Sequence, residues 1–386
     1  MHRKLRMGMI GGGKGAFIGN IHRMAARMDG QIELVCGAFS SDPEKSMESG
    51  KALYLPPDRV YETYSEMIEK ESNRPEGERM DFVSIVTPNH VHFEPARQAL
   101  RHGFHVVMDK PMTFDLDEAR QLKELVDESG LTLCLTHAYT GYPMIKEARK
   151  MVADNELGEI RKVYVEYPQG WLSGPLEQEG NKQASWRTDP AKSGKAGAMG
   201  DIGTHAADLA EYVSGQEITK LCADINTVVD GRMLDDDGSV LLRFDNGASG
   251  VLIATQVAAG EENCIRVRVY GEKGGIDWNQ EEANKLRIKW LDRPDEEKRT
   301  GDNIGSISDL ARYNTRTPAG HPEGYLEAFA NLYRNFALTV KAHKEGKEPK
   351  PVWLDFPGAY EGLRGMLFID KVIESGNSDK KWIDLD

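Results

Sequence analysis

A short apolar run, Leu5 to Ile10, ends in Gly11-Gly12-Gly13-Lys14-Gly15-Ala16-Phe17-Ile18-Gly19, and helical periodicity follows from Asn20 to Met28. Strand, glycine turn and helix in that order leave few folds open. Bare glycine backbone lets the strand end and the helix start lie close together, and the loop N–H groups then face outward with the helix N-terminus as an anion site. Gly11, Gly13 and Ala16 satisfy the GxGxx(G/A) spacing of a dinucleotide-binding turn. A flexible glycine loop is the ordinary alternative, and the position directly after a strand weighs against it. Gly19 stands where the helix sets out, so the loop is longer than the standard turn.

The rest of the first half repeats the strand and helix alternation. Ile32 to Phe39 is a strand, and Ser40-Ser41-Asp42-Pro43-Glu44 follows it, where Asp42 can cap a helix with Pro43 in its first turn. In a dinucleotide fold that strand tip reads the adenosine ribose, a carboxylate favouring NAD and an arginine NADP. With Ser40 and Ser41 at the tip the discriminator is missing, and Asp42 either supplies the carboxylate or only caps. The reading is NAD, with NADP left open. A helical piece around Ser65 to Lys70 precedes strand Phe82 to Val86, which leads into Thr87-Pro88-Asn89-His90-Val91-His92; helix Glu94 to Arg101 closes at Gly103. Strand His105 to Met108 ends in Asp109-Lys110-Pro111, helix Asp115 to Ser129 stops at Gly130, and strand Leu131 to Leu135 completes the series. The pattern predicts an α/β class, with a doubly wound parallel Rossmann sheet over residues 1–139 whose ligands bind beyond the carboxyl ends of the strands. Candidate cofactor contacts are therefore Gly11, Gly12, Gly13, Lys14, Gly15, Ala16, Phe17, Ile18, Ser40, Ser41, Asp42, Thr87, Pro88, Asn89, His92, Asp109 and Lys110. A lysine at a strand end is commonly a solvated surface residue. Beside a nicotinamide, Lys110 would be desolvated and its pKa lowered.

The second half, residues 140–386, changes character. A helix from Pro143 and a strand from Ile160 to Tyr167 precede a long loop, Pro168 to Met199, that holds Trp171, Trp186 and Arg187. Strands then read at Ile218–Val229, Ser239–Phe244, Ala248–Val257, Ile265–Tyr270, Gly275–Trp278 and Lys285–Trp290, joined by turns such as Asp245-Asn246-Gly247. Such an open, largely antiparallel sheet has one face to cover, and a second copy of the same sheet is the simplest cover, so a homodimer or homotetramer is expected. Trp290 to Pro318 is charged and irregular. Tyr325 to Lys341 and Ala359 to Glu374 are helices, and the C-terminal helix is expected to pack back on the first domain.

Between the loop and the sheet lies Gly200 to Asp208, GDIGTHAAD, in which Asp201, His205 and Asp208 fall at i, i+4 and i+7 and share one helical face. A histidine one turn from a carboxylate can take a proton near neutral pH. A capped helix start with a satisfied histidine is the plain alternative.

Totals narrow the partner. Across 386 residues the formal net charge is −13, which opposes a nucleic-acid groove or an anionic membrane surface and favours a small molecule. Cys36, Cys134, Cys222 and Cys264 are widely spaced, form no CxxC pair and predict buried free thiols, with no metal site. The basic first residues meet glycines before any apolar stretch develops, so no leader or membrane span is expected and the expected location is cytoplasmic.

With the glycine loop, Thr87-Pro88-Asn89-His90, Asp109-Lys110-Pro111, Trp186-Arg187 and Asp201-Ile202-Gly203-Thr204-His205-Ala206-Ala207-Asp208 in this order, the chain resembles the Gfo/Idh/MocA oxidoreductases over nearly its whole length. The resemblance implies an N-terminal Rossmann domain, a C-terminal α/β domain with an open antiparallel sheet, and hydride transfer between a ring secondary hydroxyl of a sugar, inositol or related polyol and a nicotinamide cofactor. Lys110 then corresponds to the lysine of the family's EKP motif, and Asp201 and His205 to the aspartate and histidine of DxGxHxxD. His205 is expected to act as base, Lys110 to polarise and relay, and Asp201 to orient. Substrate contacts are expected from Lys110, Tyr139, Trp186, Arg187, Asp201 and His205. Some relatives instead cleave glycosides by transient oxidation and elimination without net redox change, and others are non-catalytic NAD-binding regulators; Lys110, Asp201 and His205 together argue against the last. The chain departs from the family pattern in the extra loop residues Lys14 to Ile18 before Gly19-Asn20-Ile21-His22, in Asp109 for Glu, and in Thr136-His137-Ala138-Tyr139 after the sixth strand.

Overall fold

Five all-parallel strands in the order β2-β1-β3-β4-β5 form the first sheet of the computed structural model, which describes residues 3–301 and 305–385. The elements are β1 (Leu5–Gly11), α1 (Ile18–Met28), β2 (Ile32–Ala38), α2 (Pro43–Ala52), α3 (Tyr64–Ser72), β3 (Phe82–Val86), α4 (Phe93–Arg101), β4 (His105–Met108), α5 (Leu116–Ser129) and β5 (Leu133–Leu135). Beyond β2, Gly37 pairs in parallel with Val60 through one bridge, and Tyr61 N donates to Gly37 O at 2.9 Å. That bridge is what remains of a further strand: Pro56 and Pro57 occupy its approach and have no N–H to donate to a ladder. Counting it, the strand order is that of a dinucleotide fold, with β1 and β3 flanking the point where the winding reverses.

Local chemistry sets the helix ends. Asp42 accepts from Glu44 N and Lys45 N, Thr63 from Glu66 N, and Asp115 from Glu118 N, while Gly130 at φ 63° ends α5. Helix α1 differs: Phe17 stands at its cap position and offers no side-chain hydrogen bond, and its first turn carries no acid.

The chain divides into two compact units, Met1–Ala138 with Phe329–Leu363, and Tyr139–Ala328 with Arg364–Asp386. In the first, the returning segment includes most of the helix Tyr325–Lys344 and the first residues of the helix Ala359–Gly376. Phe336 packs edge-on against Phe82 with ring centroids 5.0 Å apart, Tyr333 Oη lies 2.7 Å from His22 Nδ1, and Leu135 N donates to Pro357 O. The Asp81 carboxylate binds Arg3 and Lys344 at 2.6 and 3.1 Å, closing the same contact.

The second unit holds α6 (Pro143–Ala153), β6 (Ile160–Pro168), the short helices α7 (Lys182–Arg187) and α8 (Pro190–Ser193), α9 (Thr204–Ser214), β7 (Ile218–Asn226), β8 (Asp237–Phe244), β9 (Ser249–Thr255), β10 (Arg266–Gly271), β11 (Gly274–Asn279), β12 (Lys285–Trp290), β13 (Glu296–Arg299) and α10 (Asp309–Tyr313). The helices α11 (Tyr325–Lys344) and α12 (Ala359–Gly376) and the strand β14 (Ile383–Asp384) complete the chain. Its sheet runs β13-β12-β11-β10-β6-β9-β8-β7-β14. All neighbours are antiparallel except β6 and β9, which are parallel. Strands β13 and β14 lie where the sequence reads as irregular, because Glu-Glu-Lys-Arg and Ile-Asp carry no apolar alternation. Between Trp290 and Pro318, which reads as charged and irregular, the structure has β13 and α10; residues 302–304 of that stretch lie outside the described residues. Helices α6 and α9 cover one face of the sheet. On the other, Leu241 and Ile253 are 45% and 37% exposed. No helix among the described residues is long and apolar enough to cross a membrane.

One contact supports the whole nucleotide end of the first sheet. A Cβ on Gly19 would come within 2.3 Å of Gly12 Cα and 2.6 Å of Gly12 O, backbone against backbone. Gly19→Ala is therefore expected to cost about 2 kcal/mol or more, read as a lower urea midpoint. Gly77→Ala, whose Cβ meets nothing within 4 Å, should stay within about 0.5 kcal/mol of the parent.

Candidate active site

In the first unit the glycine loop leaves β1 with Gly11, Gly12 and Gly15 at φ 81°, 70° and 81°, which side chains rarely adopt. The pattern GxGxx(G/A) counts Ala16 as its last member, whereas the residue that lets the helix lie against the strand is Gly19, three positions later. Those three positions are taken up by an exposed turn with Phe17 65% exposed. Side chains are excluded on the inner wall: a Cβ on Gly13 would meet Phe39 O and Ser49 Oγ at 2.8 Å. Ser49 Oγ accepts from Lys14 N at 3.0 Å and Arg23 donates to Gly12 O at 2.7 Å. Glycine backbone leading into a helix start with no capping side chain and no acid fits a pyrophosphate.

At the β2 tip, Ser40 Oγ accepts from Asp42 N at 3.1 Å, and Asp42 is occupied as the α2 cap and by Lys45 at 3.0 Å. The Lys45 ammonium holds its carboxyl below the usual aspartate value. Of the two roles open to Asp42, the cap is the one made.

His92 lies between the loops after β3 and β4. Its ring nitrogens lie 2.8 Å from Thr87 O and 2.8 Å from Pro111 O, and the side chain is buried. His92, expected as a cofactor contact, faces main-chain carbonyl oxygens with both ring nitrogens. Asp109 Oδ1 accepts from Lys110 N at 2.9 Å and from Thr136 Oγ1 at 3.1 Å, so the shorter acid braces the lysine's own backbone. Thr87 Oγ1 donates to Val91 O, and Asn89 is buried. His137 is also buried, and burial pushes its pKa down to about 3.

In the second unit the helix that carries His205 begins with a π turn, Met199–Gly203, before α9. Its entry is set by Asp235, whose buried carboxylate accepts from Gly197 N and Met199 N at 2.7 Å each. The acid run Asp235-Asp236-Asp237 gives no sign of that role in sequence. Asp201 Oδ2 receives Arg187 Nε at 3.1 Å and Gln256 Nε2 at 2.9 Å. The Arg187 guanidinium lies 4.3 Å from the Trp186 ring centroid and 5.8 Å from that of Trp171. Tyr139 meets the His205 ring edge-on at 4.9 Å, and its hydroxyl is paired closely with that of Tyr167. Burial raises both phenols above the ordinary tyrosine value, so both stay protonated at neutral pH.

Tyr139, Trp186, Arg187, Asp201 and His205, singled out from sequence, thus belong to one cluster of this unit. Tyr167, Gln169, Trp171, Gln256 and Asn263 join it and were not singled out. The amides carry no motif, and Tyr167, on the buried side of an alternating strand, reads as core.

Comparison with known proteins agrees with both halves. The family model described as "Oxidoreductase family, NAD-binding Rossmann fold" matches residues 5–137, and that described as "GFO/IDH/MocA C-terminal domain" matches residues 145–277. An oxidoreductase structure from Sinorhizobium meliloti is 41% identical, with a TM-score of 0.89 and 99% of this chain and 100% of that one covered. An inositol dehydrogenase homolog from Azotobacter vinelandii, solved with NADH and myo-inositol, is 34% identical, with a TM-score of 0.91 and coverage of 100% and 98%. The Bacillus subtilis (strain 168) protein named uncharacterized oxidoreductase YfiI is 30% identical over 385 residues, 99% of this chain and 97% of its own.

Burial holds His22 and His105 at about 4 and His137 at about 3, against an ordinary 6.5. Below pH 6.5 the unfolded chain binds protons that the folded chain refuses, so stability is present above that pH and is lost as the pH falls toward 4. Urea midpoints should drop between pH 7 and pH 5, before the carboxylates titrate, and a flat profile there would contradict this account of the buried imidazoles.

Proposed function

Because the chain belongs to the Gfo/Idh/MocA oxidoreductases and carries their NAD-binding Rossmann fold, we propose that it oxidises a ring secondary hydroxyl of a neutral cyclic polyol or sugar with NAD. The observation that carries this reading is the fixed carboxylate of Asp201, held by Arg187 and Gln256 one turn ahead of His205. Bound NAD would supply the hydride acceptor. Gly11 to Ile18, with the uncapped start of α1, would hold its pyrophosphate, and the loops on either side of His92 would hold the nicotinamide. His205 removes the hydroxyl proton as the C–H electron pair departs with its hydrogen, leaving a ketone and an imidazolium. Lys110 polarises the same oxygen as charge builds on it. Asp201 orients the imidazole, and Arg187 donates to Asp201 Oδ2 through Nε at 3.1 Å. Trp171 and Trp186 offer flat apolar surface, and the amides and phenols of the cluster offer neutral hydrogen-bonding groups, a lining suited to a ring bearing hydroxyls. The solved relative that holds NADH and myo-inositol supports the substrate class.

A screen of cyclitols, aldoses, uronates and glycosides with NAD and NADP separately, followed by absorbance and product analysis, tests the assignment. Net reduction of NAD with a neutral polyol is expected, and glycoside cleavage without absorbance change would redirect it to redox-neutral elimination. His205→Ala should lower kcat by about 100-fold or more while leaving NAD affinity within about twofold, and Lys110→Ala should lower kcat by a similar factor. Full turnover by His205→Ala would sink the mechanism. The exposed sheet face is proposed to pair with a second copy. Leu241→Lys with Ile253→Lys should then move the sedimenting species toward monomer, and an unchanged species would remove that face from the interface.

A further inference from the structure

The amides of the second unit form a chain whose direction chemistry fixes. The Trp171 indole N–H can only donate, and it reaches Gln169 Oε1 at 3.0 Å. Gln169 therefore turns its NH2 the other way, onto Asn263 Oδ1. With Asn263 Oδ1 committed as acceptor, Tyr167 Oη donates to it at 2.8 Å, and Asn263 Nδ2 donates to Tyr139 Oη at 3.2 Å. The Tyr167 proton being spent, Tyr139 donates to Tyr167, and a closed ring runs Asn263 to Tyr139 to Tyr167 and back. On its other side, Gln169 Oε1 also accepts from Gln256 Nε2 at 3.3 Å, whose NH2 continues to Asp201 Oδ2 at 2.9 Å. A carboxylate can only accept, so both ends of the chain, indole and Asp201, demand the same polarity. Gln169 is the one residue common to both branches, and it is 8% exposed.

We propose that Gln169 is a positioning residue: its amide, oriented by Trp171, holds Asp201 through Gln256 and the Tyr139 phenol beside His205 through Asn263. The inference rests on the roles given above to Asp201 and His205. With both phenol protons turned into the ring, and Tyr167 Oη also accepting from Gln169 Nε2 at 3.4 Å, the one remaining lone pair, on Tyr139, can only accept. A ligand reaching it is read by its O–H donors, which favours hydroxyls over carboxylates or phosphates.

A titratable replacement tests the polarity. In Gln169→Glu the protonated acid still offers a carbonyl toward Trp171 and Gln256 and an O–H toward Asn263, whereas the ionised acid offers acceptors only. The ratio of variant to wild-type kcat/KM, with NAD and myo-inositol, should be near one at pH 5.5 and fall about tenfold or more by pH 8.5. The melting temperature should follow, matching wild type at pH 5.5 and dropping behind as the pH rises. Gln169→Met, of similar length and without a donor, should lie below wild type in both readouts at every pH. Gln169→Met indistinguishable from wild type, or a folded Gln169→Glu whose ratio and melting difference stay constant across the range, would overturn the proposal. If myo-inositol is not turned over, the melting series decides alone. Loss of turnover in His205→Ala with wild-type behaviour at Gln169 would remove only this inference, whereas full turnover in His205→Ala would remove the reading beneath it.

Discussion

A buried carboxylate that accepts two main-chain N–H groups fixes backbone more tightly than any packed side chain, and Asp235 does this at the entrance to the His205 helix. Its oxygens take Gly197 N and Met199 N, while its own carbonyl takes Ala198 N at 2.8 Å. Burial raises the acid's pKa and those two N–H donors oppose the rise, so the cost of the site depends on their staying in place. There is no slack at the contact: a Cβ on Gly197 would come within 2.0 Å of Asp235 O. From that anchor the π turn brings Asp201 to Arg187 and Gln256, and α9 then carries His205 toward Tyr139. An acid remote in sequence from Asp201 and His205 thus sets where their helix starts.

The two halves reach rigidity by different means. At the nucleotide end it comes from absent side chains, with Gly12 against Gly19 and Gly13 against Phe39, so that main chain is presented without obstruction. In the sheet unit it comes from polar side chains whose donors and acceptors join in one network. The first suits a ligand recognised through its phosphates, common to many reactions. The second presents side-chain donors and acceptors in place of bare main chain.

Much of the frame was legible because it follows from periodicity. The apolar run before Gly11, the Asp115 and Gly130 boundaries of α5, and the turn at Asp245-Asn246-Gly247 each carry a local physical signal. Strand direction carries none, so the parallel pairing of β6 with β9 could not be read from alternation that looks the same either way. The vestigial strand at Val60 was equally silent, its pattern erased by Pro56 and Pro57. Among the cluster residues, Asp201 and His205 stood out through helical spacing and Arg187 through a motif. Gln169, Gln256 and Asn263 did not, since an amide's role lies in which partner each end faces, and that is settled only when distant segments meet. His92 shows the reverse difficulty: it was noticed at a strand end, but its atoms serve the main chain.

The membership of Phe329–Leu363 in the first unit bears on how the protein comes into being. Phe82 and His22 wait for Phe336 and Tyr333, the latter 311 residues after His22. A nascent chain paused after β5 exposes the apolar surface that α11 later covers, and only after the intervening sheet has been synthesised can the nucleotide fold be sealed. Order of synthesis and order of completion are therefore inverted: the unit whose synthesis starts before the sheet is completed after it.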